Sequence, residues 1–216
     1  MSERDLKARV TKIVTKAGFP ATAGIVSPLI AYLELLARWN RKINLTALVV
    51  DPPNEEALDR LIAEPLCAAR LIPARAQLMI DVGSGGGSPA LPIKIARPSI
   101  RLVMVESKVR KSAFLSEAAR QLNLRDVTVE TCRYEELLSR PELHDSADLV
   151  TLRAVRIDPK ILRTSSAFLK PGGRVLLFRS QELATEVPDS MPELRLVHHD
   201  VLLSSTGSYL DILEKG

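Results

Sequence analysis

Cysteine is scarce in this chain. Only Cys67 and Cys132 occur among 216 residues, and they form neither a C-x-x-C pair nor a framework. A disulfide scaffold and a thiolate metal site are thereby excluded, and the two thiols are expected to be reduced packing residues. Aromatics make up 4% and histidine occurs three times, which leaves few imidazoles for base or metal chemistry. No stretch approaches the roughly 18 apolar residues of a membrane span. The start, Met1-Ser2-Glu3-Arg4-Asp5, is of mixed charge and lacks the apolar core of a signal peptide, so a cytoplasmic location is expected.

What is present is ordinary for one soluble domain with a small extension: 46% apolar and 26% charged residues. The net charge of +4 is unevenly spread. Residues 182–216 hold seven acids and two bases, which leaves 28 bases against 19 acids over residues 1–181. Bases gather at Arg38, Arg41 and Lys42, at Lys94 and Arg97, and at Lys108, Arg110 and Lys111. A solvated basic surface accounts for such runs in general. Here they flank a glycine loop, so a nucleic-acid partner competes evenly with that explanation.

Apolar spacing predicts helices over 3–17 and 25–40, separated by Gly18-Phe19-Pro20, and another over 57–71 after Asp51-Pro52-Pro53-Asn54. These form a helical N-terminal extension over 1–72, ahead of a second domain over 73–216. Strands are then expected at 77–82, 101–106, 127–131, 147–152 and 173–178, with helices at 90–97, 108–123, 133–139 and 158–169 between them. Such alternation implies a doubly wound, Rossmann-like parallel sheet of the α/β class. After a short segment at 181–187, residues 193–203 and 207–214 read as a terminal β-hairpin around Ser204-Ser205-Thr206-Gly207.

The loop Asp81-Val82-Gly83-Ser84-Gly85-Gly86-Gly87 leaves the first strand and leads, past Ser88 and Pro89, into a helix. Its glycines allow a nucleotide-like ligand to approach the backbone at the carboxyl end of the sheet. No Gly-Lys-Ser/Thr follows, which excludes a nucleoside triphosphate loop. Ser88 stands where a dinucleotide fingerprint wants its third glycine. Asp81 would repel a pyrophosphate, yet it suits a ligand carrying an ammonium and a sulfonium. Glu106, 23 residues beyond Gly83, is placed to accept ribose hydroxyls, as it would for either nucleotide class. Together with the terminal hairpin, these residues favour S-adenosyl-L-methionine as cofactor.

Helpers for particular acceptors are missing. The fourth strand runs into Thr151-Leu152-Arg153-Ala154-Val155, not an amine-methylating (Asn/Asp)-Pro-Pro-(Tyr/Phe) segment, and Asp51-Pro52-Pro53-Asn54 lacks the aromatic and lies upstream. Neither cysteine has the setting of a carbon-methylating nucleophile. The histidines, His144 and the pair His198-His199, are not clustered with carboxylates for a metal, and none is expected. An acceptor with a free lone pair, such as guanine N7, needs only positioning. Arg133 and Arg153, after the third and fourth strands, are candidates to hold it, as arginine matches O6 and phosphate. Spacing alone equally allows capping or surface arginines.

The strings Asn44-Leu45-Thr46-Ala47, Asp81 through Pro89, Val105-Glu106-Ser107-x-x-Arg110-Lys111-x-x-Phe114-Leu115, Arg133-x-Glu135, Arg153-Ala154 and Lys170-Pro171-Gly172-Gly173 resemble the glucose-inhibited division protein B family. These are the bacterial small-subunit (16S) ribosomal RNA methyltransferases G, which make 7-methylguanosine in the decoding-region loop. The resemblance spans about residues 30 to 180 in order. It implies a class I S-adenosylmethionine-dependent methyltransferase fold preceded by helices, and small-subunit rRNA or its assembly intermediate as partner. It also implies that Gly83, Gly85 and Ser88 touch the methionine part of the cofactor, with Asp81, Ser84, Gly87 and Ser107 in the same set. Glu106 would take the ribose, Tyr134 and Glu135 the adenine, and Arg153 would border cofactor and substrate. Arg133, Lys108, Arg110, Lys111 and Arg179 would face RNA, and Asn44 would order the extension. Several positions depart from the pattern: where the family has Arg-His-x-x-Asp-Ser-Leu, this chain has Arg60-Leu61-Ile62-Ala63-Glu64-Pro65-Leu66 and so lacks the imidazole, Arg179 replaces a lysine, and Ala90 replaces a glycine. Another RNA or small-molecule acceptor, or a non-catalytic cofactor-binding module on the ribosome, stays open on these residues.

Overall fold

Five aliphatic runs become parallel strands in the computed structural model, which describes residues 2–180 and 185–216. They are β1 (Leu78–Val82), β2 (Arg101–Val105), β3 (Val127–Glu130), β4 (Ala147–Arg153) and β5 (Leu169–Arg179). The terminal hairpin adds β6 (Leu194–Leu203) and β7 (Ser208–Lys215), joined by a single 3-10 turn at Ser204–Thr206 and by Gly207 at φ 57°. The sheet order is β3-β2-β1-β4-β5-β7-β6, with β7 antiparallel to both β5 and β6. The order reverses between β1 and β4, so the loops leaving those strands diverge and open a crevice at the carboxyl edge. That crevice is where the glycine loop lies.

Helices cover both faces. Leu78, Ile80, Val82, Val150, Leu152 and Leu177 face α7 (Pro159–Phe168), and Met79, Leu102, Met104, Leu149 and Leu176 face the other way. The second face carries α5 (Ala90–Ala96), α6 (Val109–Gln121) and the N-terminal helices α1 (Glu3–Lys16) and α2 (Ala23–Asn40). Leu6, Val10, Leu29 and Leu36 of those helices share one apolar cluster with the sheet. The extension is therefore a layer on the sheet, with no core of its own. Its closest tie to the crevice is Tyr32, wholly buried, whose hydroxyl donates to the Gly86 carbonyl at 2.7 Å.

Three expectations are refined. The helix expected at 57–71 is α3 (Glu55–Leu58), a π-helical turn (Asp59–Ala63) and α4 (Glu64–Arg70). The helix expected at 133–139 is a 3-10 segment, Tyr134–Ser139. Strand β5 begins before 173, at Leu169, because Pro171-Gly172-Gly173 forms an irregular stretch where Ala147 pairs Leu169 but Leu149 pairs Arg174. Of the segment expected at 181–187, residues 181–184 lie outside the described ones, and 185–187 have no regular structure. No helix among the described residues is long and apolar enough to cross a membrane.

Replacing Tyr32 with Phe deletes one buried hydrogen bond between the extension and the glycine loop. The unfolding free energy should fall by about 1 kcal/mol with an unchanged m-value in urea titration.

Candidate active site

The glycine loop is built by its own backbone. The Gly83 and Ser84 amides donate to the Val105 carbonyl at 2.9 and 3.1 Å, which anchors the loop on the end of β2. Gly83, Gly85 and Gly87 have φ of 76°, 49° and 84°, a region that side chains strain to enter. Their duties differ. Gly83 is exposed and lines a cleft of about 350 Å³, together with Val82, Val105, Glu106, Ser107, Cys132, Arg133, Tyr134, Glu135, Val155, Arg156, Asp158 and Ile161. Gly87 is buried against Leu91, whose Cδ1 would lie 2.5 Å from any Cβ there, so packing demands that glycine.

Glu106 follows β2 directly and is buried. One carboxylate oxygen accepts from the Gly85 amide at 3.0 Å and the other from the Lys108 amide at 2.8 Å. Two backbone donors hold the carboxylate in a fixed orientation, while its remaining lone pairs serve the cleft it lines. Tyr134 and Glu135 form the opposite wall, as expected from their place after β3. Glu135 is held by Lys160 at 2.7 Å, and that hydrogen bond keeps its carboxyl below the usual range. Asp158 caps α7 through the Ile161 amide at 2.9 Å. Each carboxylate lining the cleft thus already has a partner. Arg133 and Arg156 are exposed at its rim. Nothing in the sequence singled out Arg156, which the turn at Ala154 (φ 54°) swings to the cleft.

Asp81 is 1% exposed at the end of β1. Its Oδ1 accepts from the Thr151 hydroxyl at 2.5 Å, while Oδ2 is buried without a hydrogen-bond partner among the described residues. Burial pushes its carboxyl up from 3.8 to about 6, with Glu106 adding to the rise and Thr151 opposing it. A buried oxygen in want of a donor fits a cationic ligand. Ser84, expected beside the cofactor, instead turns its buried hydroxyl back to the Asp81 carbonyl at 3.0 Å.

Arg153 and Ser88 do not line the cleft. Pro65 in α4 has no N–H, so the carbonyls of Leu61 and Arg60, four and five residues earlier, lose the donor that position would supply. Arg153 Nη1 donates to the Arg60 carbonyl at 2.6 Å, and the Ser88 hydroxyl to that of Leu61 at 3.3 Å. Arg153 also pairs with Glu64, which is 1% exposed, and lies 5.5 Å over the Phe178 ring. Thr206 of the hairpin turn donates to the second Glu64 oxygen at 2.7 Å. The guanidinium ties the extension to β4 and the glycine loop. Leu61, in place of the expected histidine, is a buried core residue.

The basic residues divide. Lys108 and Arg110 are exposed at the start of α6 and Lys111 is half-buried there. Arg179, expected to face RNA, is turned into the sheet edge, hydrogen-bonded to Thr185 and 3.6 Å from the buried Asp211. Asn44 is exposed; the chain after α2 is ordered by Asn40, whose Oδ1 accepts from the Leu45 and Thr46 amides at 2.8 and 3.0 Å.

A seven-stranded sheet with one antiparallel strand next to its edge, and a glycine loop facing an acid on the next strand, defines a class I S-adenosylmethionine-dependent methyltransferase fold. Solved structures bear this out: a putative O-methyltransferase from Klebsiella pneumoniae (TM-score 0.61, 15% identity, 99% of each chain) and the O-methyltransferase TomG from Streptomyces achromogenes (TM-score 0.59, 17% identity, 86% of this chain and 90% of that one). The family model described as rRNA small subunit methyltransferase G matches residues 25–204. Ribosomal RNA small subunit methyltransferase G of Syntrophotalea carbinolica is 31% identical over 97% of this chain and 98% of its own, and that of Geobacter sp. is 34% identical over 91% and 88%. The chain belongs to this family of ribosomal RNA methyltransferases.

Two substitutions probe these groups. The cost of the buried Asp81 carboxylate is nearly absent below about pH 3, where folded and unfolded chains are both largely protonated, grows as the unfolded chain ionises from 3.8 upward, and is nearly complete above about pH 6. Asp81→Asn should therefore raise stability above pH 6 by on the order of 2 kcal/mol, leave it unchanged near pH 3, and weaken cofactor binding. Glu64→Gln leaves the Arg153 guanidinium buried without its anion and should cost about 3 kcal/mol in thermal or urea unfolding.

Proposed function

We propose that the protein transfers the methyl group of S-adenosylmethionine to guanine N7 in small-subunit ribosomal RNA, with the cleft between β1, β2 and the Tyr134–Ser139 turn as its active site. The observation that carries this is the shared cleft: Glu106, fixed by two backbone amides, faces Tyr134 across a pocket floored by Gly83. S-adenosylmethionine supplies an electrophilic methyl group when bound.

Glu106 would accept the ribose hydroxyls, Tyr134 and Glu135 would line the adenine side, and the buried Asp81 carboxylate would favour the cofactor's positive charge. Gly83 and Gly85, having no side chains, would let the methionine part approach the loop backbone, and Ser107 would complete the ribose wall. Guanine N7 carries a free lone pair and no proton, so its methylation calls for no general base. That agrees with a cleft whose carboxylates are all engaged. Arg133 and Arg156 at the rim present donors that match the O6 and N7 acceptors of guanine and the phosphates beside it. Arg153 acts one step back, holding the glycine loop and the end of β4 in place through Glu64 and Ser88. Positioning then supplies the catalysis. The decoding-region loop as target is carried by the resemblance of the motifs.

Mass spectrometric mapping of guanosines in small-subunit RNA, from cells with and without this protein, should show one N7-methyl site that depends on it. Unmodified RNA in both, or a site at another atom, would overturn the assignment. Glu106→Ala should weaken cofactor binding at least tenfold by calorimetry, roughly 1.4 kcal/mol or more. Unchanged affinity would remove Glu106 from the ribose site.

A further inference from the structure

A second groove, of about 800 Å³, runs between the end of α2 and the outer side of α6. Four cationic side chains line it: Arg38, Arg41 and Lys42 from the extension, and Arg110 from the methyltransferase sheet's helix. No carboxylate is among its lining residues. Its floor is apolar, formed by Leu35, Trp39 and Ile43, with Trp39 held edge-on against Phe114 at 5.8 Å between ring centres.

The cations are unevenly engaged. Arg41 pairs with Asp51, and Arg38 donates to Gln121 at 3.1 Å. Lys42 and Arg110 are exposed with no hydrogen-bond or ion-pair partner among the described residues. Glu117 stands next to Gln121, but Arg120 and Gln121 already hold it. Like charges crowded over an apolar floor are unfavourable unless a polyanion covers them. Phosphates spaced along a strand would meet the cations, and sugar and base faces would cover Trp39 and Ile43.

One wall of the groove, α6, is also tied to the active site. The α6 start is pinned to Glu106 through the Lys108 amide at 2.8 Å, and Arg110 lies two residues on, in the groove. We infer that the α2–α6 groove, with Arg38, Arg41 and Lys42 of the extension as one wall, is a docking track for a single-stranded RNA segment next to the methylated base. This rests on the proposed rRNA substrate and adds the extension to its recognition.

The test is binding of in vitro transcribed small-subunit rRNA to the full chain carrying Lys42→Glu, or Arg38→Glu with Lys42→Glu, measured over a salt series. The double variant should bind at least tenfold more weakly at about 0.1 M salt, with the log–log salt slope reduced by about one per lost cation. Cofactor affinity and the thermal midpoint should match wild type. Lys42→Arg should restore the wild-type slope. Unchanged RNA affinity and slope would overturn the inference, as would a defect seen only on protein-bearing subunits and not on naked RNA, which would make the partner a protein. Should wild-type protein bind RNA through the groove yet transfer no methyl group, the activity would fall while the docking track stands.

Discussion

A largely buried guanidinium beneath a loop needs an anion, and among the described residues Arg153 pairs with Glu64 of the helical extension. This pair joins three parts of the chain that are far apart in sequence. Arg153 ends β4, Glu64 opens α4 after a π-helical turn, and Thr206 of the closing hairpin takes the other Glu64 oxygen. Pro65 strengthens the junction by withholding an N–H, so that two carbonyls turn outward to Arg153 and Ser88. Because the pair is satisfied on every side, the glycine loop is held from below while its upper surface stays open to the cleft.

That arrangement divides labour within the loop. Gly83 and Gly85 serve the cleft and its Glu106 partner, whereas Ser84, Gly87 and Ser88 serve packing and the junction. Tyr32 adds a second tie from the extension, on the Gly86 carbonyl. Among the described residues Asp81 stands apart: buried, half-partnered and raised in pKa, it is costly to the folded chain alone.

Much of this was legible in the sequence. The alternating runs from Leu78 onward gave the doubly wound class, and the hairpin around Gly207 marked the sheet as something other than two symmetric nucleotide-binding halves. Gly83 and Glu106 pointed to the cleft because strand-loop-helix spacing fixes where the loop and the acid after the next strand emerge, while Asp81 lies buried beneath them. Arg153 and Arg179 were the less legible residues. Their positions after strands suggested exposed ligand-binding groups, but their partners, Glu64 and Asp211, lie 89 and 32 residues away, and spacing carries no record of such pairs. Arg156 was missed for the converse reason. Only the left-handed turn at Ala154, which nothing in the residue type announces, brings it to the rim.

The sequence by itself determined the α/β class, the loop, its facing acid and the family motifs, because each depends on local periodicity or fixed short spacing. The tertiary structure alone decided which polar groups remain available. Burial and long-range pairing turned Arg153, Arg179 and Ser88 inward, left Asp81 in want of a cation, and set Arg38, Arg41 and Lys42 beside Arg110. A side chain's chemistry is written in its identity, but whether it is free to act depends on what the rest of the chain packs against it.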